Sequence, residues 1–220
     1  MRVETFLSSG RYIDSESPDV TAFARRASAG SSGEMDQVLS LYRTVRDGIM
    51  YDPYVDISDA ANFRASSVLQ KGRGFCIGKA ALLAACARTI GVPARVGYAD
   101  VRNHLTSPRL YERLKTDLFT WHSYAELYLE ERWVKATPAF NQSLCERLGL
   151  KPLEFDGRSD SLLHPFDRAG RRHMEYLTDH GQFADVPFDA IQANFRENYP
   201  SLMESHGLAG DFQAEAVAER

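Results

Sequence analysis

A cysteine lies where a glycine-rich, basic loop gives way to an apolar helical pattern, in the stretch KGRGFCIGKA (71–80). The N-terminus of a helix carries roughly half a positive charge and unpaired N–H groups, and both favour the thiolate form of Cys76. We expect Arg73 and Lys79 to add to this effect, and the flanking glycines to let a substrate backbone approach closely. Cys76 is therefore a candidate nucleophile, and the alternative interpretation is a buried structural cysteine.

A cysteine nucleophile needs a base, usually a histidine, and the chain contains six histidines. His122 lies at the start of WHSYAELYL (121–129), whose alternation predicts a strand, on the face opposite the apolar residues. A lone histidine is more often a surface or core residue, so His122 becomes a candidate base only in combination with Cys76. Cys86 and Cys145 are interpreted as structural, since Cys86 lies inside the predicted helix and lacks a comparable glycine-rich, basic neighbourhood.

The helix that would position Cys76 is the clearest element of the sequence. Apolar residues recur at i, i+4, i+7, i+8 and i+11 from Cys76 to Ala87, which predicts a helix over 76–90 with one buried stripe. The strand at 121–129 is followed by a tight turn at 130–132 and the next strand of a hairpin. The other predicted elements are helices over 16–28, 34–50 and 66–74, a loop over 51–63, a strand over 94–101, an insertion with a helical piece over 102–120, and helices near 170–178 and 187–197.

Composition limits the classes of function. The chain has 220 residues, 44% of them hydrophobic, which fits one large domain or two small ones with a sizeable core. The formal net charge of -4 gives no general argument for nucleic-acid or membrane partners, and no run of about 18 apolar residues predicts a membrane span. Three cysteines without a CxxC motif predict neither a disulfide framework nor a zinc site, so we expect a reducing, cytoplasmic location.

A second group of candidate ligands lies in HMEYLTDHGQF (173–183). If this segment is helical, His173 and His180 lie seven residues apart and nearly on one face. Metal ligands usually show tighter spacing, however, and no HExxH motif is present. The acidic segment at 153–161 lacks the alternating spacing of a calcium loop, and the sequence has no phosphate-binding loop. We therefore predict no metal and no cofactor.

Three motifs, taken in order, resemble those of the transglutaminase-like superfamily. They are Gly74-Phe75-Cys76 at the helix start, RTIGVPAR (88–95) at its end, and HSYAE (122–126) followed by Trp133. The resemblance covers roughly residues 35–140 and implies an α+β, papain-like fold, in which N-terminal helices and the nucleophile helix pack on an antiparallel sheet. We treat residues 1–220 as a single transglutaminase-like domain, with a C-terminal extension of unknown role over 145–220.

The resemblance also implies a Cys–His–Asp triad for acyl transfer, with Cys76 as the nucleophile and His122 as the base. The family's third residue is an Asp on the next strand, but Thr137 occupies the matching position. Because an Asp also stabilises the imidazolium, its replacement by a neutral group is costly, although a neutral Asn serves in papain-like enzymes. We predict Thr137 as the third residue, with Asn141 as the alternative, and Gln70 as an oxyanion donor beside the backbone N–H of Cys76.

These residues predict a cofactor-independent thiol hydrolase or acyltransferase that acts on a peptide or amide through a thioester. Water or a second amine would resolve the thioester. The alternative is a transglutaminase-like binding module, impaired in catalysis because Thr137 replaces the Asp. We expect residues 145–220 to cover one side of the cleft and to narrow substrate choice. Neither a nucleic acid nor a membrane is predicted as a partner.

Overall fold

Helix α4 (Cys76–Thr89) lies at the centre of the computed structural model, which describes residues 2–104, 108–164, 166–171, 173–204 and 210–218. The sequence predicted one buried stripe on this helix, but every residue from Ile77 to Arg88 is buried. Its alanines are small enough for a sheet to pack on one side and helices on the other. The elements that cover it are β3 (Ala94–Asn103) and β4 (Leu118–Leu129) on the sheet side, and α1 (Pro18–Ala27), α2 (Glu34–Gly48) and α3 (Ala65–Lys71) on the helical side.

The sheet that supports α4 is antiparallel throughout its described part. Its strand order is β5 (Arg132–Ala136), β4, β3 and β6 (Met174–Phe183). Glu130 and Glu131 connect β4 to β5, and both have positive φ, 47° and 64°, as a two-residue type I′ turn requires. The predicted hairpin is thus confirmed, and so is the α+β class, with the helix that begins at Cys76 packed on an antiparallel sheet.

The helix predicted near 170–178 is wrong, because most of that segment belongs to strand β6. β6 pairs with β3, and the register of this pairing shifts at two β-bulges. Leu177 and His180 are the extra residues of these bulges, because neither has a partner on β3. Each bulge breaks the alternation of inward and outward side chains. The segment therefore lacks the alternating sequence pattern of a regular strand, and its pairing with β3 determines that it forms a strand.

The remaining elements are short, except for one helix in the C-terminal part. The helix predicted over 187–197 is confirmed as α7 (Phe188–Asn198). The predicted loop over 51–63 contains a 3-10 turn, and residues 105–107 of the predicted insertion lie outside the described residues. In chain order the elements are 3-10 turns at Val3–Leu7 and Ala60–Phe63, β1 (Met50–Tyr51) paired in parallel with β2 (Arg73–Gly74), α5 (Pro108–Leu114), α6 (Gln142–Leu148), α7 (Phe188–Asn198), α8 (Pro200–Glu204) and α9 (Phe212–Ala218). Among the described residues, no helix has the length and apolar character that crossing a membrane requires.

One carboxylate ties the N-terminal segment to the C-terminal part of the chain. Asp185 accepts hydrogen bonds from the backbone N–H groups of Arg11 at 2.7 Å, Tyr12 at 3.1 Å and Ile13 at 2.9 Å. We expect Asp185→Ala to lower the free energy of unfolding by about 1.5–3 kcal/mol, because hydrogen bonds to a charged acceptor are lost. Urea denaturation checks this, with the exposed Glu197→Ala as a matched control. Equal midpoints for the two variants would contradict the prediction.

Candidate active site

Cys76 is the first residue of α4 and is half-buried. The close approach of α4 to the 3-10 turn at Ala60–Phe63 requires a glycine at position 78. A Cβ there would lie 2.6 Å from the carbonyl oxygen of Asn62 and 2.7 Å from Cγ2 of Val68. At Gly78 the glycine is thus required for packing, because only a residue without a side chain lets the first turn of α4 lie this close to Asn62 and Val68.

His122 lies on β4 directly after a bulge. Two residues, Thr120 and Trp121, stand opposite one residue of β3, and Trp121 has a φ of 56°. Asp100 holds this bulge, since its Oδ1 accepts hydrogen bonds from the Trp121 N–H at 3.1 Å and from His180 Nε2 at 2.7 Å. The rings of Trp121 and His180 stack with centroids 4.6 Å apart. A left-handed backbone costs on the order of 1–3 kcal/mol for a bulky residue, so strain is concentrated next to the candidate base.

The two predicted catalytic residues line one pocket, which we call the thiol pocket. It lies between Cys76 on α4 and His122 on β4 and opens to solvent; the space outside protein atoms there, with open solvent included, is about 580 Å³. Its far wall comes from the insertion and the C-terminal part, through Leu110, Phe195 and Leu202. The C-terminal part therefore borders the cleft, and its effect on substrate choice stays a prediction.

The electrostatics of Cys76 differ from the expectation based on its sequence neighbours. Burial raises the pKa of the thiol to about 11, although backbone N–H groups of Ser123, Ile77 and Cys76 itself interact with the sulfur and lower it. The basic neighbours are engaged elsewhere. Lys79 is buried and donates to the carbonyls of Arg46, at 2.8 Å, and Ile49, while Arg73 forms an ion pair with Asp52 at 3.5 Å. The expectation that these two cations favour the thiolate is wrong.

His122 lies among other buried histidines. Burial, and next the proximity of His164, lower the pKa of His122 to about 4, and no carboxylate of the described residues contributes to this shift. Burial also lowers the pKa values of His164 and His173 to about 4, and the centroids of these two imidazole rings lie 5.9 Å apart. At neutral pH the imidazole of His122 is therefore neutral, like the thiol. The sequence did not single out His164, which lies in an irregular segment far along the chain.

The two candidates for the third residue have different surroundings. Thr137 and His122 both line a small cavity that also contains His164, and the buried Oγ1 of Thr137 has no hydrogen-bond partner among the described residues. The amide of Asn141 is already engaged, because its Oδ1 accepts from the Tyr51 N–H at 3.0 Å and its Nδ2 donates to Ser143 Oγ at 2.8 Å. The surroundings favour Thr137 over Asn141, and its role stays a prediction.

Paired substitutions separate these two candidates. We expect Thr137→Val to leave the free energy of unfolding unchanged or higher, because it removes a buried hydroxyl that has no hydrogen-bond partner among the described residues. We expect it to lower kcat about tenfold, because the hydroxyl can then no longer accept a hydrogen bond from the His122 imidazolium that forms during the attack. Asn141→Ala should instead lower the free energy of unfolding by about 1–3 kcal/mol, because it leaves the Tyr51 N–H unpaired. Thermal unfolding and steady-state kinetics check both. A Thr137→Val variant with full kcat would remove Thr137 from the site.

Gln70 lies outside the thiol pocket. Its side chain is exposed, and its Nε2 donates a hydrogen bond to Asp19 Oδ2 at 2.9 Å. The spacing in sequence therefore does not bring this amide to Cys76. The backbone N–H of Ser123, on β4, interacts with the Cys76 sulfur and was not predicted from the sequence. Backbone donors carry no signal in residue type, so only the structure could reveal it.

The two histidines of the 173–183 segment separate in the structure. His173 lies with His164 beside Phe140. His180 forms a hydrogen bond from Nε2 to Oδ1 of Asp100 at 2.7 Å, and its ring stacks on Trp121. The premise of a helical segment with both rings on one face is wrong, because the segment is the bulged strand β6. Within the described ranges, no group of three or more His, Cys, Asp or Glu side chains could hold a metal ion.

Comparison with known proteins supports these motifs and this fold. The model of the transglutaminase-like superfamily matches residues 21–138. No curated protein matches the chain by sequence. Among solved structures, a candidate cysteine protease from Cytophaga hutchinsonii is similar in fold, with a TM-score of 0.52 and 18% identity over 84% of this chain. The periplasmic domain of TgpA from Pseudomonas aeruginosa has a TM-score of 0.42 and 19% identity over 63% of this chain. The chain covers 48% of the length of each of these two proteins.

Proposed function

Because the chain belongs to the transglutaminase-like superfamily, we propose that it is a cysteine-dependent hydrolase or acyltransferase acting on an amide or peptide. The observation that carries the proposal is that Cys76, at the N-terminus of α4, and His122, on β4, line the same pocket. A thiol and an imidazole at one cavity wall are the groups that nucleophilic acyl transfer requires. The pocket also gives a carbonyl group access to both.

The high pKa of Cys76 and the low pKa of His122 disfavour a preformed thiolate–imidazolium pair, so we propose that the proton moves during the attack. The pKa of the Cys76 thiol, about 11, lies far above that of His122, about 4, so both groups are neutral at rest. In the proposed reaction His122 removes the thiol proton while the sulfur attacks the carbonyl carbon. The C–S bond forms, the C–N bond breaks, and the leaving amine takes the proton from His122. Water or a second amine then cleaves the thioester, releases the acid or new amide, and restores the thiol.

Backbone donors support stabilisation of the oxyanion. The N–H groups of Cys76 and Ser123 interact with the sulfur in the resting protein. When the sulfur bonds to a carbonyl carbon, the carbonyl oxygen lies two bonds from the sulfur, so N–H groups that face the sulfur are candidates to donate to it. We propose this pair as the oxyanion hole in place of Gln70. Thr137 completes the proposed site: its buried hydroxyl, which has no partner among the described residues, is proposed to accept a hydrogen bond from His122 once His122 is protonated.

One observation favours the alternative of a binding module. Thr137 stands where the family has an Asp, and no carboxylate among the described residues stabilises a charged His122. A module that only binds needs no acylation of Cys76.

A cytoplasmic location, which keeps the three free cysteines reduced, stays a prediction.

Trapping of the acyl-enzyme tests the proposal. The protein is mixed with p-nitrophenyl acetate, quenched in acid within seconds, and its intact mass and tryptic peptides are measured. We expect one acetyl group on the peptide that contains Cys76, and its loss on longer incubation. Added hydroxylamine should divert the product from acetate to the hydroxamate, which separates transfer from hydrolysis. Absence of acetylation at Cys76 under all these conditions would favour the binding module.

A further inference from the structure

The thiol pocket is lined mainly by apolar side chains, and its polar lining residues besides Cys76 and His122 are Tyr51, Thr120 and Tyr199. The side chains that form its walls include Leu110, Leu114, Phe119, Trp121, Phe195 and Leu202. Among the described residues that line it, none is Asp, Glu, Lys or Arg. A charged group placed here would lose its hydration without gaining a partner, whereas an apolar group would leave water for a matching surface.

Polar groups in the far wall already bind one another. The hydroxyl of Tyr199 donates to the carbonyl of Leu118 at 2.9 Å and accepts from the Thr120 N–H at 2.6 Å. Thr120 Oγ1 donates to Asn194 Oδ1 at 2.6 Å. These hydrogen bonds attach α7 and its C-terminal end to β4 and use the polar atoms of this wall. The surface that this wall offers to a ligand is therefore mainly apolar.

The position of the sulfur decides which half of the substrate lies in this pocket. Cys76 lines the thiol pocket, whereas the neighbouring cavity is lined by His122, Asn103, His173 and Glu215 but not by Cys76. The acyl group stays bonded to the sulfur in the thioester, and of the two cavities the thiol pocket is the one that Cys76 lines. The leaving amine takes its proton from His122, which borders both cavities.

We propose that the acyl group transferred to Cys76 is large and apolar, such as an arylalkanoyl or branched aliphatic acyl group, and that side chains of α5, α7 and α8 select it. The inference rests on the proposed function and specifies its substrate class. One methylene in an apolar pocket changes kcat/KM by about 10–200-fold. A phenylalkyl group should therefore gain at least about 100-fold over a methyl group, even when its fit is incomplete.

A series of p-nitrophenyl esters with one leaving group tests the inference. The acyl groups are acetyl, 3-phenylpropanoyl and succinyl, and kcat/KM is measured in the full-length protein after subtraction of the rate of Cys76→Ala. We expect 3-phenylpropanoyl to exceed acetyl by at least about 100-fold and succinyl to fall below acetyl. Rates for 3-phenylpropanoyl and acetyl within threefold of each other, both dependent on Cys76, would overturn the inference and leave the proposed function intact. Absence of Cys76-dependent release from every ester would overturn the proposed function and, with it, the inference.

Paired substitutions on α8 locate the selectivity. Leu202→Arg places a cation in the wall, so the ratio of succinyl to 3-phenylpropanoyl turnover should rise at least about tenfold. Ser201→Arg adds the same charge on an exposed position of the same helix and should leave the ratio unchanged. Thermal unfolding verifies that both variants are folded, and Leu202→Val supplies a milder change if the arginine variant unfolds. Equal ratios in folded Leu202→Arg and Ser201→Arg would exclude α8 as a source of the selectivity.

Discussion

Cys76→Ala is expected to lower kcat/KM by at least about 10⁴-fold and to leave the protein folded. The sulfur is the atom that bonds to the acyl group, and no other described cysteine can replace it. Cys86 is fully buried within α4, and Cys145 is fully buried in α6. Because Cys76 is half-buried at the start of its helix, removal of the sulfur should change the free energy of unfolding by only about 1 kcal/mol.

Cys86→Ala is the matched control for this variant. It removes a thiol from the same helix, in a fully buried position that does not line the thiol pocket. We expect it to lower the free energy of unfolding by about 1 kcal/mol through the small cavity that it leaves, and to keep kcat/KM within twofold. Steady-state ester hydrolysis and urea denaturation are measured on both variants. If Cys76→Ala and Cys86→Ala lost the same activity, the loss would result from a folding defect, and Cys76 would have no specific catalytic role.

The sequence predicted those elements whose hydrophobic pattern has one regular period. Helix α4 and the hairpin of β4 and β5 follow from apolar periodicity and from the short turn at Glu130 and Glu131. β6 was missed because two bulges interrupt its alternation and its pairing with β3 bridges some 80 positions of the chain. The burial of α4 on all sides was missed for a similar reason, since a pattern of alanines does not reveal that layers pack on both faces.

The types of the candidate reactive groups could be predicted, but their electrostatics could not. Cys76 and His122 belong to the ordered motifs that resemble the transglutaminase-like superfamily, and that resemblance predicted them as a pair; the structure shows that they line one pocket. A pKa depends instead on burial and on contacts from distant segments. Arg73 and Lys79 are close to Cys76 in sequence, yet their partners are Asp52 and backbone carbonyls of α2 and the residue after it. Proximity along the chain was a poor guide to the charges around the sulfur.

The pH dependence of alkylation at Cys76 is the second large expected effect. The thiolate is the reactive form, and burial raises the pKa of this thiol to about 11. Below that pKa the thiolate fraction rises about tenfold for each pH unit, so the rate with iodoacetamide should rise about 300-fold from pH 7 to pH 9.5 without a plateau. A free thiol with a pKa of about 8.5 would level off within this range. Mass spectrometry of the Cys76 peptide gives the rate, and circular dichroism verifies the fold at each pH.

His122→Ala distinguishes the neutral pair from a thiolate–imidazolium pair. Because the pKa of His122 is about 4, its imidazole carries no charge at pH 7 and does not stabilise the thiolate. We therefore expect the alkylation profile of His122→Ala to match that of the wild type within about threefold, while ester turnover falls about 10³–10⁴-fold through loss of the base. Fast alkylation of the wild type at pH 6 that disappears in His122→Ala would instead reveal an ion pair. The mechanism in which His122 removes the thiol proton only during the attack would then be wrong. Thr137 would instead have to stabilise a charged imidazolium in the resting protein without the help of a carboxylate.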